Sequence, residues 1–166
     1  SSFDPFERLA VVDWGDVHVD HGHPASVPGE VEGALVDIHR QGPATLMLGG
    51  DHFLTYPALR ACAERCGAPL SLVQFDAHTD TWPDDGERID HGTMFHHAVK
   101  EGLIDPATSI QIGIRTTNDD PLGIEIIDAI RVHEEGWRAV SDAIRERVGK
   151  RNVYLTFDID CLDPSC

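Results

Sequence analysis

The sequence has 166 residues, of which 41% are hydrophobic, and it carries 29 acidic against 13 basic residues for a formal net charge of −16. This length suits one domain with a sizeable core, and the negative charge argues against nucleic acid and anionic membrane surfaces as partners. The sequence contains no apolar run of the roughly 20 residues that span a bilayer and no signal-peptide pattern, so we expect a cytoplasmic protein with reduced cysteines.

Strand and helix patterns alternate along the chain. Apolar runs predict strands at residues 10–13, 44–48, 70–75, 109–114 and 152–157. Helical spacing of apolar residues predicts helices over 28–41, 56–65, 93–101 and 137–148, with a further short segment over 124–132. This alternation predicts an α/β fold, in which helices flank both faces of a parallel sheet. No interdomain linker is evident, so residues 1–166 are expected to form a single domain.

Acidic and histidine side chains follow three of the predicted strands. Three segments carry them, namely Asp51 and His52, then Asp76, His78 and Asp80, then Asp158, Asp160 and Asp163. The carboxyl ends of parallel strands lie at one edge of a sheet, which is where ligands bind. Clusters that are far apart in the sequence can therefore meet in space.

The convergence of four carboxylates and two imidazoles requires cations, because buried unpaired charges are very costly. We therefore predict that two divalent metal ions are held there, with His52, Asp76, His78, Asp80, Asp158 and Asp160 as the ligands. Oxygen and imidazole ligands without a thiolate suit Mn²⁺ better than a structural zinc site. Asp51 and Asp163 are more typical of supporting or turn-forming residues. The group His18, His21 and His23 is predicted to lie in a surface loop.

Four motifs resemble those of the ureohydrolase family, which contains arginase and agmatinase. They are GGDHF (49–53), FDAHTDT (75–81), DHGTMF (90–95) and TFDIDCLDP (156–164). The segments KEGLID (100–105) and QIGIRT (111–116) are similar to the bacterial agmatinases in particular. The resemblance implies an arginase-like fold, two manganese ions per subunit, a homo-oligomer and hydrolysis of a guanidinium group. For an agmatinase, the reaction converts agmatine to putrescine and urea.

The resemblance also implies a role for each matching residue. One manganese would be held by His52, Asp76, Asp80 and Asp158, and the other by Asp76, His78, Asp158 and Asp160. Asp80 would orient the attacking hydroxide, and His91 would transfer a proton or contact the substrate. Family members begin earlier and continue beyond the last motif, so the domain 1–166 is expected to be incomplete at both ends.

The loop 81–90 separates the ligand motif from His91 and contains four acids against one base. An acidic wall at the mouth of the site would attract the ammonium group of agmatine and repel the carboxylate of arginine or guanidinobutyrate. Asp84 and Asp85 are therefore the candidate substrate-binding residues, with Glu87 as a further acid of this loop.

Other functions remain open at the level of the sequence. One is a guanidinobutyrase or another ureohydrolase, and one of a different class is a metal-binding fragment or subunit without catalytic activity. A metallophosphatase would need an asparagine-histidine motif where the chain has Gly-Gly-Asp-His at 49–52. A deacetylase of similar fold would need only one metal, and the fourth carboxylate would then be surplus.

Overall fold

The structure is a computed structural model that describes residues 4–84 and 89–165. Its helices are α1 (Val27–Arg40), α2 (Thr55–Cys66), α3 (Met94–Lys100) and α4 (Ala129–Val148). Its strands are β1 (Ser71–Phe75), β2 (Ile110–Ile114), β3 (Glu125–Asp128) and β4 (Val153–Phe157). Short 3₁₀ helices cover Pro5–Glu7, Pro24–Ser26, His52–Leu54, Pro106–Thr108 and Ile159–Cys161.

The four strands form one sheet in the order β3-β2-β1-β4, and each neighbouring pair is parallel. The predicted parallel α/β fold is therefore confirmed. Parallel neighbours need a crossover connection, and α3, α4 and the segments beside them provide it. Because all four strands run the same way, their carboxyl ends lie at one edge of the sheet.

Side chains that alternate along β1 enter two separate cores. Leu72 packs with Leu59 of α2 and Phe95 of α3 on one face of the sheet. Val73 packs on the other face in a cluster that includes Val140 of α4. Helix α1 lies outside α2, where Val31, Leu35, Ala58 and Ala61 form a third cluster. Burial on both faces explains why β1 is an apolar run rather than an alternating one.

Two predicted strands, at 10–13 and 44–48, are not strands in the structure. The side chains of Leu46 and Leu48 are 87% and 89% exposed, and Val12 is 80% exposed. A strand requires a hydrogen-bonding neighbour, and the described part of the chain places none beside these two segments. Strand β4 likewise exposes Leu155 and Phe157, so the face of β4 that carries them is accessible to solvent, whereas β1 is buried on both faces.

The segment 124–132 contains β3 and the start of α4, which begins earlier than the predicted residue 137. The Asp128 side chain accepts a hydrogen bond from the Arg131 backbone N–H at 2.8 Å and caps this start. Gly136 has a φ of +76° and kinks the helix. The kink divides α4 into two parts, of which the sequence predicts only the second, from residue 137, as helix.

Three cysteines, Cys62, Cys66 and Cys161, are free thiols, and Cys166 lies outside the described residues. None of the helices in residues 4–84 and 89–165 is both long and apolar enough to cross a membrane.

Candidate metal centre

Asp76 and Asp158 are placed side by side by the ends of two neighbouring parallel strands. Phe75 and Phe157 are paired in the register of β1 and β4, and the ladder continues because the Asp158 N–H donates to the Phe75 carbonyl oxygen at 2.8 Å. The Asp76 N–H donates to the carbonyl oxygen of Ile112 in β2 at 3.0 Å. Two backbone ladders therefore fix the positions from which both carboxylates project.

Gly113 makes room for this strand end. Its φ is +94°, and a Cβ at this position would lie 3.2 Å from the Asp76 carbonyl oxygen. A side chain there would be strained and would press on the backbone of a predicted ligand. Glycine thus permits the close approach of β2 to Asp76.

Backbone N–H groups hold the carboxylates that follow the two strands. The His78 N–H donates to Asp76 Oδ1 at 2.7 Å, and the Ala77 N–H donates to Asp160 Oδ1 at 3.0 Å. The Asp160 N–H donates to Asp158 Oδ1 at 3.0 Å, which caps the 3₁₀ helix Ile159–Cys161. Each carboxylate is therefore oriented by the segment that presents it, or by the neighbouring one.

His52 reaches the site by a different route from the predicted one. It does not follow a strand but opens the 3₁₀ helix His52–Leu54, which leads directly into α2. Asp51 caps that helix by accepting a hydrogen bond from the Phe53 N–H at 2.9 Å. The turn at the start of α2 thus carries this predicted ligand, whereas the sequence pattern places it at the end of a strand.

The two ring nitrogens of His52 face different partners. Nε2 lies 2.9 Å from Thr156 Oγ1, which in turn lies 3.1 Å from Thr55 Oγ1. Nδ1 lies 3.0 Å from both Asp76 Oδ2 and Asp80 Oδ2. When the Nε2–H donates to the Thr156 hydroxyl, the Nδ1 lone pair points to the carboxylate cluster, as a metal-ligating histidine requires.

Two groups of donor atoms in the described residues are close enough to hold an ion. His52, Asp76 and Asp158 form one, Asp76, His78 and Asp160 form the other, and within each group the donor atoms lie within 4.8 Å of one another. Asp76 belongs to both groups, as expected for a residue shared by two ions. Asp158 belongs only to the first group, and Asp80 to neither, although Asp80 lies beside His52.

The electrostatics of the centre are those of a crowded anionic cluster. Burial alone would lower the pKa of His52, but the hydrogen bonds and charges of Asp76 and Asp80 outweigh it and raise that pKa to about 9. Burial and the Asp76 charge raise the pKa of Asp80 to about 6, against the attraction of His52. Burial would also raise the pKa of Asp76, but hydrogen bonds from His52, the His78 N–H and Gln74 hold it below its usual value. The cluster thus retains protons that a divalent cation would replace.

Asp80 adopts a backbone conformation that residues other than glycine rarely take. Its φ is +53°, in the left-handed region, which aspartate tolerates better than most residues. Such positions persist where the surrounding structure requires them, and they occur often at functional sites. The turn at Asp80 brings its carboxylate back to the same cluster as Asp76.

An open cavity of about 490 Å³ lies over the cluster. The six predicted ligands line it together with Asp51, Trp82, His91 and Gly92. The His91 side chain is 68% exposed, and its Nδ1 lies 3.5 Å from Asp51 Oδ1. His91 is therefore available to a molecule that enters the cavity, and Asp51 lies in the wall.

Asp84, the one candidate substrate-binding acid among the described residues, is placed differently from the predicted ligands. Asp84 Oδ2 lies 2.7 Å from His97 Nε2 of α3, with both side chains largely buried, and Asp84 does not line the cavity. Asp85 and Glu87 lie outside the described residues. Asp163 accepts hydrogen bonds from Ser165 at the surface, in the turn-forming role expected for it.

Three residues at the centre were not singled out in the sequence. Thr156 contacts His52, Gln74 donates to Asp76, and Gln111 donates to Gln74. The two glutamines interrupt otherwise apolar strands, LVQF and IQIG, directly before or beside a ligand segment. A buried amide in the middle of a strand needs a partner, and that signal could have identified them.

Comparisons with known proteins match the chain over nearly all of its length. The model of the arginase family matches residues 1–166. The chain is 53% identical to an agmatinase of Chromobacterium violaceum, covering 98% of the chain and 51% of that protein, and 48% identical to an agmatinase of Proteus mirabilis, covering 98% and 53%.

Solved structures give the same picture. A hypothetical agmatinase from Burkholderia thailandensis superposes with a TM-score of 0.95 at 55% identity, covering 98% of this chain and 51% of that one. The proclavaminate amidino hydrolase of Streptomyces clavuligerus superposes with a TM-score of 0.86 at 43% identity, covering 93% and 53%. The chain therefore spans about half the length of the relatives it matches.

Proposed function

The chain belongs to the arginase family, and on that premise we propose that it forms the metal-holding part of a ureohydrolase that cleaves agmatine to putrescine and urea. The observation that carries the proposal is the cluster of two imidazoles and four carboxylates in the wall of an open cavity. A ureohydrolase needs such a centre to activate water for attack on an unreactive guanidinium carbon.

The donor set fits two Mn²⁺ ions. Four carboxylates and two imidazoles offer oxygen and nitrogen atoms without a thiolate, which suits manganese. We assign one ion to His52, Asp76, Asp80 and Asp158, and the other to Asp76, His78, Asp158 and Asp160. The protons retained by His52 and Asp80 are consistent with a cluster whose charge is balanced by metal. When bound, the ions supply Lewis acidity and lower the pKa of water.

Two residues of the cavity are assigned to the handling of the nucleophile and the proton. Asp80 is buried among the ligands and can accept a hydrogen bond from an attacking hydroxide at its carboxylate. His91 is exposed at the same cavity and can deliver a proton to the departing amine through its imidazole. The leaving nitrogen has to be protonated so that it departs as a neutral amine, because the unprotonated group would leave as a very unstable anion.

The charge of the cavity favours a cationic substrate. None of its ten lining residues in the described part of the chain is lysine or arginine, whereas five are aspartates. Agmatine carries a guanidinium at one end and an ammonium at the other, while arginine and guanidinobutyrate carry a carboxylate that this wall repels. The similarity to agmatinases of two bacteria supports the same choice. Asp84 does not contribute to this preference, because its carboxylate contacts His97 and does not line the cavity.

A second guanidino substrate is the main alternative. The likeness to a proclavaminate amidino hydrolase, at 43% identity, shows that a chain this similar can belong to a protein named for another substrate. A guanidinobutyrase falls in the same group. A subunit that binds metal without catalysis is the alternative from a different class.

The test measures urea release by the natural polypeptide that contains this chain. Agmatine, arginine and guanidinobutyrate are compared after chelation and again after addition of Mn²⁺. We expect no urea after chelation, recovery with Mn²⁺, and the highest kcat/KM for agmatine. Activity that survives chelation with no metal detected by elemental analysis would refute the metal assignment. Hydrolysis of guanidinobutyrate as fast as that of agmatine would refute the proposed substrate. Metal binding without urea from any of the three would refute agmatine hydrolysis and leave a different guanidino substrate or the non-catalytic alternative.

A further inference from the structure

Two buried amides lead from the middle of the sheet to Asp76. Gln74 of β1 and Gln111 of β2 are partners in the strand register, and both are 0% exposed. Gln111 Nε2 donates to Gln74 Oε1 at 2.6 Å, and Gln74 Nε2 donates to Asp76 Oδ2 at 2.7 Å. The two side chains thus form a continuous chain of hydrogen bonds that ends on the carboxylate shared by both donor groups.

The direction of this chain is fixed by its surroundings. Each amide nitrogen has two N–H groups, and the second N–H of Gln111 meets the Thr79 carbonyl oxygen at 2.6 Å. The second N–H of Gln74 meets the His78 carbonyl oxygen at 3.2 Å. A flipped amide would place oxygen against oxygen at these distances. Neither glutamine can therefore reverse without losing its partners.

The arrangement costs stability. Gln111 Oε1 is buried and has no hydrogen-bond partner in the described residues, and a buried acceptor in that state destabilises the fold. Apolar side chains at both positions would match the rest of these strands. Departures from the local pattern of this kind are expected where function requires them.

We propose that Gln74 and Gln111 are positioning residues for the metal centre, an inference that rests on the proposed two-metal site. Gln74 holds Asp76 Oδ2 while the His78 N–H holds Asp76 Oδ1, so the carboxylate cannot rotate. The same two amides hold the carbonyl oxygens of His78 and Thr79, and so fix the turn from Asp76 to Asp80. Three of the six predicted ligands thus depend on one pair of amides.

The test compares two variants with a matched control in the natural polypeptide. Gln74→Met and Gln111→Met keep side-chain length but remove the amides. Ser71→Ala removes another buried hydrogen bond of β1, that of Ser71 Oγ with Thr108 Oγ1 at 2.8 Å, on the opposite face of the strand. For each protein, Mn²⁺ affinity is measured by titration, and the Tm of the metal-free form is measured separately.

We expect Gln74→Met and Gln111→Met to weaken Mn²⁺ binding by about 10–100-fold, the usual effect of losing an outer partner of a ligand. Gln111→Met replaces one unpaired acceptor by two, Gln74 Oε1 and the Thr79 carbonyl, so its metal-free Tm should fall by a few degrees, as in Ser71→Ala. Ser71→Ala should leave the affinity unchanged. Should Gln74→Met fail to fold, Gln111→Met decides the question.

Unchanged Mn²⁺ affinity in a folded glutamine variant would overturn the positioning role, as would an equal loss of affinity in Ser71→Ala. A wild-type protein that binds no Mn²⁺ would overturn the metal assignment as well. Weakened Mn²⁺ binding without hydrolysis of any guanidinium compound by the wild type would support the positioning role and refute the proposed reaction alone.

Discussion

Metal binding to this chain should release the proton that His52 holds in the metal-free state. The pKa of His52 is raised to about 9, so at pH 7 only ~1% of the rings are neutral and able to ligate. Each unit of pH between 6.5 and 8.5 should therefore raise the affinity for the ion held by His52 about tenfold, or ~100-fold over the window. The gain levels off above about pH 9, where the ring is already neutral.

The assay is a Mn²⁺ titration at several pH values by calorimetry, in buffers of different ionisation enthalpy, so that released protons are counted directly. His52→Gln is the comparison, because it keeps a hydrogen-bonding side chain that has no proton to lose. The slope of log affinity against pH should be about one unit smaller in His52→Gln than in the wild type, since the other ligands are common to both. Equal slopes would show that His52 is already neutral before metal binds, and the reasoning from its carboxylate neighbours would be refuted.

Three further predictions follow from the same geometry. Asp158→Asn should reduce Mn²⁺ affinity and kcat/KM by more than Asp51→Asn, for which we expect a loss of at most about 10–100-fold. The reason is that the Asp158 carboxylate is a candidate metal ligand, whereas Asp51 caps a turn. Equal losses at equal metal content would place Asp51 among the ligands. Thr156→Val should weaken Mn²⁺ binding, whereas Thr156→Ser, which keeps the hydroxyl at His52 Nε2, should not. Identical Mn²⁺ titrations of the two variants would show that the hydroxyl does not contribute to metal binding. The metal-free form should lose stability as pH rises from about 4 to 9, measured as the midpoint of urea unfolding. Stability falls because the pKa values of Asp80 and His52 are higher in the folded than in the unfolded chain, so the folded state binds their protons more tightly. This stabilisation is complete below the unfolded pKa of each group and is lost as the pH rises through about 6 for Asp80 and about 9 for His52. A midpoint that rises over this range would contradict both pKa shifts.

The sequence by itself determined the fold class and which residue types form the candidate metal centre. Burial on both faces makes β1 and β2 mostly apolar without the alternation of a half-exposed strand, and that pattern is readable without a structure. The candidate ligand types after β1 and β4 are equally local, because each Asp or His lies within five residues after the end of its strand. The expected convergence at one sheet edge then depends only on the strands being parallel.

The tertiary structure decided what depends on partners distant in the chain. Residues 44–48 have the composition of a strand but lack a neighbour in the described part of the chain, so Leu46 and Leu48 are exposed and the segment is irregular. His52 enters through a 3₁₀ turn rather than from a strand. Asp84 belongs to an acidic loop, yet it turns to His97. The pairing of Gln74 with Gln111 arises only when β1 and β2 lie in register. Local sequence specifies which groups a segment carries, whereas hydrogen bonds and charges between segments decide which groups meet, because these energies exist only once the chain has folded.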